Sequence, residues 1–418
     1  MNKKQQRWII FVILAVGFVF SYFIRLSTGV IGPVLMEDLR IDAEQLGLLA
    51  GAFFYAFAII QIPVGCALDS FSPKRVILAT VLLAIVGCSI LGLATNFRMA
   101  LSGRILIGIG MSSVFMGGLK IFSNWFRPDQ FASLSGVMLG LGNFGALVAT
   151  TPLVIASTMI GWRNCFLLFS LFLVLLSVAI IFLVNDSPEK SVIMSADISE
   201  SWRSNLTNKI LISFKTVFSN KHFWFISIAA FIRYGSLITV QGFLGTLYLI
   251  DVMGYSIEKS GNILSMISIG YLIGSPLWGI FSDSVFKSRK KVMLLGLFIY
   301  MCVMLFFLLD TKADFLWYGV FWGLGFFASV GAVSFAHVKE LFPKEISGFA
   351  LTANNLFNIV GVAIGQHVTG VIIGRYPKTP SGYAIEAYHS AFAVLFISCI
   401  IGFVLYLFVQ DTVPSSPG

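Results

Sequence analysis

Four basic side chains stand inside apolar stretches where a charge is expensive. Arg25 lies in S21-Y-F-I-R25-L-S-T-G29, Arg104 opens R104-I-L-I-G108-I-G110, Lys120 precedes Trp125, and Arg233 lies in F231-I-R233-Y234-G235. A guanidinium is not deprotonated in a protein, and even the lenient insertion scale charges about 2.5–3.5 kcal/mol for a cation at mid-bilayer. The Asp and Glu residues, among them Glu37, Asp38, Glu44, Asp129, Asp186, Asp251, Glu258, Asp310, Asp314 and Glu340, fall outside these stretches or at their edges. No internal carboxylate therefore answers the four cations. Two kinds of partner remain: backbone carbonyls with helix C-terminal ends, and an anionic solute.

The four divide by depth. Lys120 sits little more than one turn before Trp125 and is expected to snorkel, with the inner mouth of a cavity as its second reading. Arg25 and Arg233 are the deeper pair and the expected substrate contacts. Tyr22 is within one turn of Arg25, Tyr55 is in the middle of its run, and Gln241 follows Arg233 by two turns on one face. Asn143, Asn354 and Asn358 complete the uncharged candidates, and Asn354 and Asn358 share a helix face. Each of these polar groups has the ordinary alternative of satisfying a neighbouring helix. Among the histidines, His337 and His367 would titrate near neutral pH and are candidates for coupling. His222, His337, His367 and His389 show no metal-ligand spacing, and there is no HExxH, Walker loop or nucleophile elbow. No enzyme, metal or cofactor is expected, nor is ATP-driven transport by this chain. Cys66, Cys88, Cys165, Cys302 and Cys399 form no CxxC pair and read as small core residues.

Positioning these groups requires membrane helices. Hydrophobic residues make up 57% of the 418-residue chain and charged ones 11%, against roughly 25% charged in soluble domains. Twelve runs reach the length of about 20 residues that crosses a bilayer: 8–36, 45–68, 76–95, 99–124, 131–157, 162–184, 222–250, 259–282, 292–309, 315–338, 346–374 and 388–409. The first is too long for a signal-peptide core and has no A-x-A site after it, so it is expected to remain as a helix. The N-terminus and the even-numbered loops carry 17 Lys and Arg, the opposite side seven. Both termini are therefore expected in the cytoplasm. The +9 net charge reflects topology and not nucleic-acid binding.

The chain also repeats. Gly65 and Asp69 return as Gly279 and Asp283 at an offset of 214, Phe126-Arg127-Pro128 as Leu341-Phe342-Pro343 at 215, and Asn143 as Asn358 at 215. The polar stretch 185–221 divides a six-helix bundle over 1–184 from a second over 222–418. Two such repeats, with a substrate site between them near the midplane, are the plan of many secondary transporters.

G65-C-A-L-D69-S-F-S-P-K74-R75 resembles the loop 2–3 signature of the major facilitator superfamily, and G279-I-F-S-D283-S-V-F-K-S-R289 is its degenerate copy. R104-I-L-I-G108-I-G110 is similar to the family's helix 4 motif, and G136-V-M-L-G140-L-G142-N-F-G145 to its glycine-rich helix 5 without the usual Gly-Pro pair. The resemblance covers the whole chain and implies an all-α fold of twelve transmembrane helices in two pseudo-symmetric bundles. It implies gating or coupling roles for Asp69, Lys74, Arg75, Arg104, Asp283 and Arg289. Y22-F-I-R25 and F231-I-R233-Y234-G235 look like the arginine segments of the organophosphate and organic anion branches. Two departures stand: the arginines are not symmetry mates, since Arg25 maps to Val240 and Arg233 to Phe18, and helix 5 has no histidine. The expected function is secondary transport of a small organic anion (organophosphate, carboxylate, amino acid or peptide-like) by alternating access. A drug or siderophore exporter of the same fold is the alternative. Protons or a counter-transported anion are the candidate coupling partners, and a monomer in a bacterial inner membrane is expected.

Overall fold

The computed structural model describes residues 3–188, 212–309, 313–379 and 382–412. Among the described residues, twelve helices are long and apolar enough to cross a membrane. Spans 1 to 6 are Gln5–Val30, Ala43–Leu68, Pro73–Gly92, Phe97–Trp125, Gly140–Ile160 and Trp162–Leu183. Spans 7 to 12 are Lys221–Asp251, Ile257–Val285, Arg289–Leu308, Asp314–Glu340, Ile346–Gly374 and Ile385–Leu407. A two-stranded hairpin, β1 (Lys378–Thr379) and β2 (Gly382–Tyr383), joins spans 11 and 12.

Several expected continuous helices are broken, for identifiable reasons. The first run stops at Val30 and restarts as a short helix Gly32–Leu39, with Pro33 in its first turn, where a missing N–H costs nothing. Span 5 divides between Val148 and Thr151, ahead of Pro152. Spans 4 and 10 are interrupted without proline, between Met111 and Val114 and between Ala328 and Gly331. At both breaks a serine hydroxyl donates to the carbonyl three residues back, Ser112 to Ile109 at 2.6 Å and Ser329 to Phe326 at 2.7 Å. Such back-bonding bends helices.

The repeat is visible in how each half ties its last span to its third. Asp186, just after span 6, accepts from the Ser72 hydroxyl and from the Lys74 N–H at 2.8 Å, satisfying the first turn of span 3. Asp411, just after span 12, does the same for Ser288 at 2.5 Å and the Lys290 N–H at 2.9 Å at the start of span 9. Free N–H groups at a helix start take a carboxylate readily.

Both halves meet along spans 2 and 11, 1 and 7, and 5 and 8, and the contact is one-sided. At the end distant from the termini, a methyl added to Gly47 would lie 2.6 Å from the Gln366 carbonyl oxygen, and one on Gly51 2.9 Å from that of Ala363. A methyl on Gly29 would overlap the Gly242 carbonyl outright. Near the termini, Gly65, Gly140, Gly279 and Gly348, on spans 2, 5 and 8 and at the start of 11, have no described atom within 4 Å of that position. Small residues let membrane helices touch. Here the halves touch distally and splay near the termini. On the distal surface Asp38 is bonded by the Trp162 indole N–H at 2.7 Å and paired with Arg163; these donors hold its carboxyl below the usual range.

Candidate functional site

A cavity of about 450 Å³ lies between the halves, walled by spans 1, 2, 4, 5, 7, 8, 10 and 11. Arg25 and Arg233 both line it, with Tyr22, Asn143, Gln241 and Asn358. No Asp or Glu is among its described lining residues.

The two arginines are held differently. Arg25 is 6% exposed, and its guanidinium makes no hydrogen bond with a described residue; its Nε is buried without a partner. What holds it is aromatic. Its guanidinium carbon lies 4.4 Å from the Tyr22 ring centre, 5.4 Å from that of Phe57 and 5.9 Å from those of Phe53 and Phe54. Rings attract the cation through their faces without using its N–H fork. Arg233 instead donates from Nη1 to the Ala328 carbonyl at 2.5 Å and adjoins Tyr271.

Arg104 stands apart from the cavity. It is fully buried and donates to the carbonyls of Ile24 (3.0 Å), Leu49 (3.3 Å), Arg25 and Ala50 (both 3.4 Å), tying spans 1, 2 and 4 together. Lys120 donates to the Leu68 carbonyl at 2.6 Å, at the end of span 2.

The remaining predicted residues distribute unevenly. Gln241 bridges to the Ser268 hydroxyl at 2.8 Å across spans 7 and 8. Asn354 and Asn358 were expected on one face, yet only Asn358 reaches the wall; Asn354 accepts from Ser227 of span 7 at 3.2 Å. Tyr55 is also absent from the lining, and its hydroxyl meets His367 Nδ1 at 3.5 Å across spans 2 and 11. His337 is buried between the Tyr406 hydroxyl and the Gln410 carbonyl, each at 2.8 Å. At the terminal end of the second half, Arg289 joins Asp283 to Glu340, the latter at 2.8 Å. Lys74 Nζ donates to the Ile181 carbonyl at 2.7 Å, and Arg75 is exposed. The side chain of Asp69 lies outside the described residues. Gln61, Tyr234, Tyr271 and Asn355 line the cavity but were not singled out from the sequence. A signal existed for two: Tyr234 follows Arg233 directly, and Asn355 follows Asn354 but points about 100° further round the helix.

The family model described as Major Facilitator Superfamily matches residues 14–267 and 226–418. The chain belongs to the Major Facilitator Superfamily. Its relatives in this superfamily include a probable hexose phosphate transport protein of Chlamydia trachomatis, 24% identical over 97% of this chain and 91% of that protein. A probable galactarate/D-glucarate transporter of Escherichia coli is 24% identical over 96% and 94%. A hexuronate transporter of Bacillus subtilis is 25% identical over 96% of each. Among solved structures, a bacterial homologue of the human lysosomal transporter Spinster, inward-facing and unoccupied, matches with a TM-score of 0.71 at 16% identity over 98% and 96%. The nucleoside transporter NupG matches with a TM-score of 0.76 at 14% identity over 97% and 98%. These structures share the fold. The chain is a multi-pass membrane transporter and not an enzyme.

Proposed function

We propose that this protein moves a small organic anion across the membrane by alternating access, with Arg25 meeting the anion's charge. One observation carries the reading: Arg25 stands in a cavity whose described wall holds no carboxylate, caged by rings and with its N–H fork unspent. A planar carboxylate or a phosphate takes such a fork in two parallel bonds. The relatives named for hexose phosphate, glucarate and hexuronate support a sugar-derived anion, and none of them is named for a drug or a siderophore.

The finer assignments belong to the same proposal. Tyr22, Asn143, Gln241 and Asn358 contribute polar contacts around the anion. The bundles 1–184 and 222–418 rock about the cavity, with 185–221 as a cytoplasmic linker. The Lys/Arg bias places both termini in the cytoplasm, so the splayed end faces inward. With no carboxylate among the described residues of the cavity to relay a proton, a second anion travelling the other way is the favoured coupling partner.

Uptake of labelled D-glucuronate, D-glucarate and glucose 6-phosphate into proteoliposomes tests this. Arg25→Ala is expected to reduce uptake of the transported anion at least about tenfold, equivalent to about 1.4 kcal/mol. Arg25→Lys should recover part of it, since the charge remains and the fork does not. Preloading with the same anion should accelerate uptake. Wild-type rates in Arg25→Ala would refute the site, and indifference to preloading would refute exchange.

A further inference from the structure

The break in span 10 has a peg in it. In a continuous helix the Ala328 carbonyl would accept the N–H of Ala332. Here the Ala332 N–H turns to Ser329 at 3.0 Å and the Val333 N–H to Val330 at 2.9 Å, so the Ala328 carbonyl is left for another donor. Arg233 Nη1 reaches it at 2.5 Å. The guanidinium lies directly on Gly331, where even one added methyl would overlap it. Arg233 is only 2% exposed in this notch, although it and Ala332, just beyond the break, both belong to the cavity wall.

The corresponding break in span 4 is filled otherwise. There Ser113 shares a hydroxyl bond of 2.5 Å with Thr80 of span 3, and Arg25 lies against its aromatic cage instead. The two cavity arginines are thus mechanically unlike. One is free for a ligand, and the other is committed to a carbonyl that a helix break exposes.

We propose that Arg233 is a removable peg: the transported anion competes with the Ala328 carbonyl for its guanidinium, so that occupancy of the cavity is passed to the break in span 10. A bond from a guanidinium to an anion is stronger than one to a neutral carbonyl, so a bound anion has differential affinity for the unpegged state, which any ligand-driven change requires. With Arg233 withdrawn, the Ala328 carbonyl can take the Ala332 N–H and the two segments of span 10 can align. Gly331 is the positioning residue, since only a residue without Cβ leaves room for the guanidinium. The competition rests on the anion reading above; the peg itself does not.

Spin labels at Phe315→Cys and Lys339→Cys, in a Cys66→Ser/Cys302→Ser background, report the bend of span 10 in the reconstituted protein. Both positions are exposed, at opposite ends of the span. Gly331→Ala should move the label distance without any ligand, because the methyl expels a flexible side-chain end and not backbone. Arg233→Met, which removes the peg while keeping its volume, should move it the same way. In the otherwise wild-type protein the anion that is taken up, of the three probes named above, should produce that shift. Its further effect in Gly331→Ala and Arg233→Met should be at least about threefold smaller. An unchanged distance in both variants would overturn the peg. A wild-type distance unmoved by an anion that is taken up would overturn the competition alone. Failure of all three probes to be taken up would instead count against the proposed function, while the ligand-free arms still decide the peg.

Discussion

Arg104 shows how a buried cation is kept without a counter-ion. Its donors meet four carbonyls drawn from two other spans, and hydrogen bonds from charged groups contribute about 1.5–3 kcal/mol net. Arg104→Met would remove four charge-assisted bonds from a fully buried place, although each carbonyl keeps the N–H of its own helix. The expected outcome is a loss of at least about 3 kcal/mol, read as an earlier unfolding midpoint of the purified protein in detergent. An unchanged midpoint would mean that the four bonds contribute nothing net. The presence of Arg104, Arg25 and Arg233 inside apolar runs was plain in the sequence, as was the shortage of carboxylates to pair them. Their different fates were not. Whether a guanidinium ends on a carbonyl, on ring faces or in a notch depends on what the packed helices present, and the carbonyl partners of Arg104 and Arg233 come from residues 54 to 95 positions away. The same holds for Asn354, whose helical phase relative to Asn358 was readable while the identity of the helix on that side was not.

Among the elements, the legible breaks were those that proline writes. Pro33 and Pro152 announce themselves, whereas the interruptions of spans 4 and 10 fall in apolar runs that otherwise favour continuous helix, with only a back-bonded serine at each. The close pairing of spans 2 and 11 is the element-scale feature with the sharpest consequence. Gly47 and Gly370 meet backbone to backbone, with the added-methyl position of each 3.0 Å from the Cα of the other. A leucine at Gly47 cannot be accommodated by a side-chain turn, because the obstacle is main chain. Gly47→Leu is therefore expected to wedge the distal ends of spans 2 and 11 apart. Spin labels placed on the distal ends of these two spans should separate by several ångströms, about the depth of one side chain, and anion uptake should fall at least about tenfold. If the labels kept their wild-type distance, the glycine contact would not be what closes that end.

For the whole molecule, the question is what holds the two halves shut distally and lets them part. The hairpin between spans 11 and 12 supplies a strap. Asp251, at the end of span 7, accepts the Tyr383 N–H at 2.9 Å and the Tyr388 hydroxyl at 2.6 Å. Gly382, with φ of 108°, takes the turn that a side chain would resist, and a methyl there would strike the Asp251 carboxylate. So seated, the Tyr383 hydroxyl crosses to the first half and accepts the N–H of Ala43 at 3.1 Å, capping span 2 with a residue from the other bundle. When the distal end opens, water can replace that bond, so its net contribution to the closed state is about 0.5–1.5 kcal/mol. A bond of that size holds the closed state and still releases it within a transport cycle. Tyr383→Phe removes the oxygen and leaves the ring and the hairpin in place. The open population should then rise roughly two- to tenfold. A cysteine replacing Thr28, which is wholly buried next to the contact of Gly29 with Gly242, should react correspondingly faster with an impermeant thiol reagent added at the distal side. Equal labelling rates with and without the hydroxyl would remove the strap from the gate and leave closure to the glycine contacts of spans 1, 2, 7 and 11.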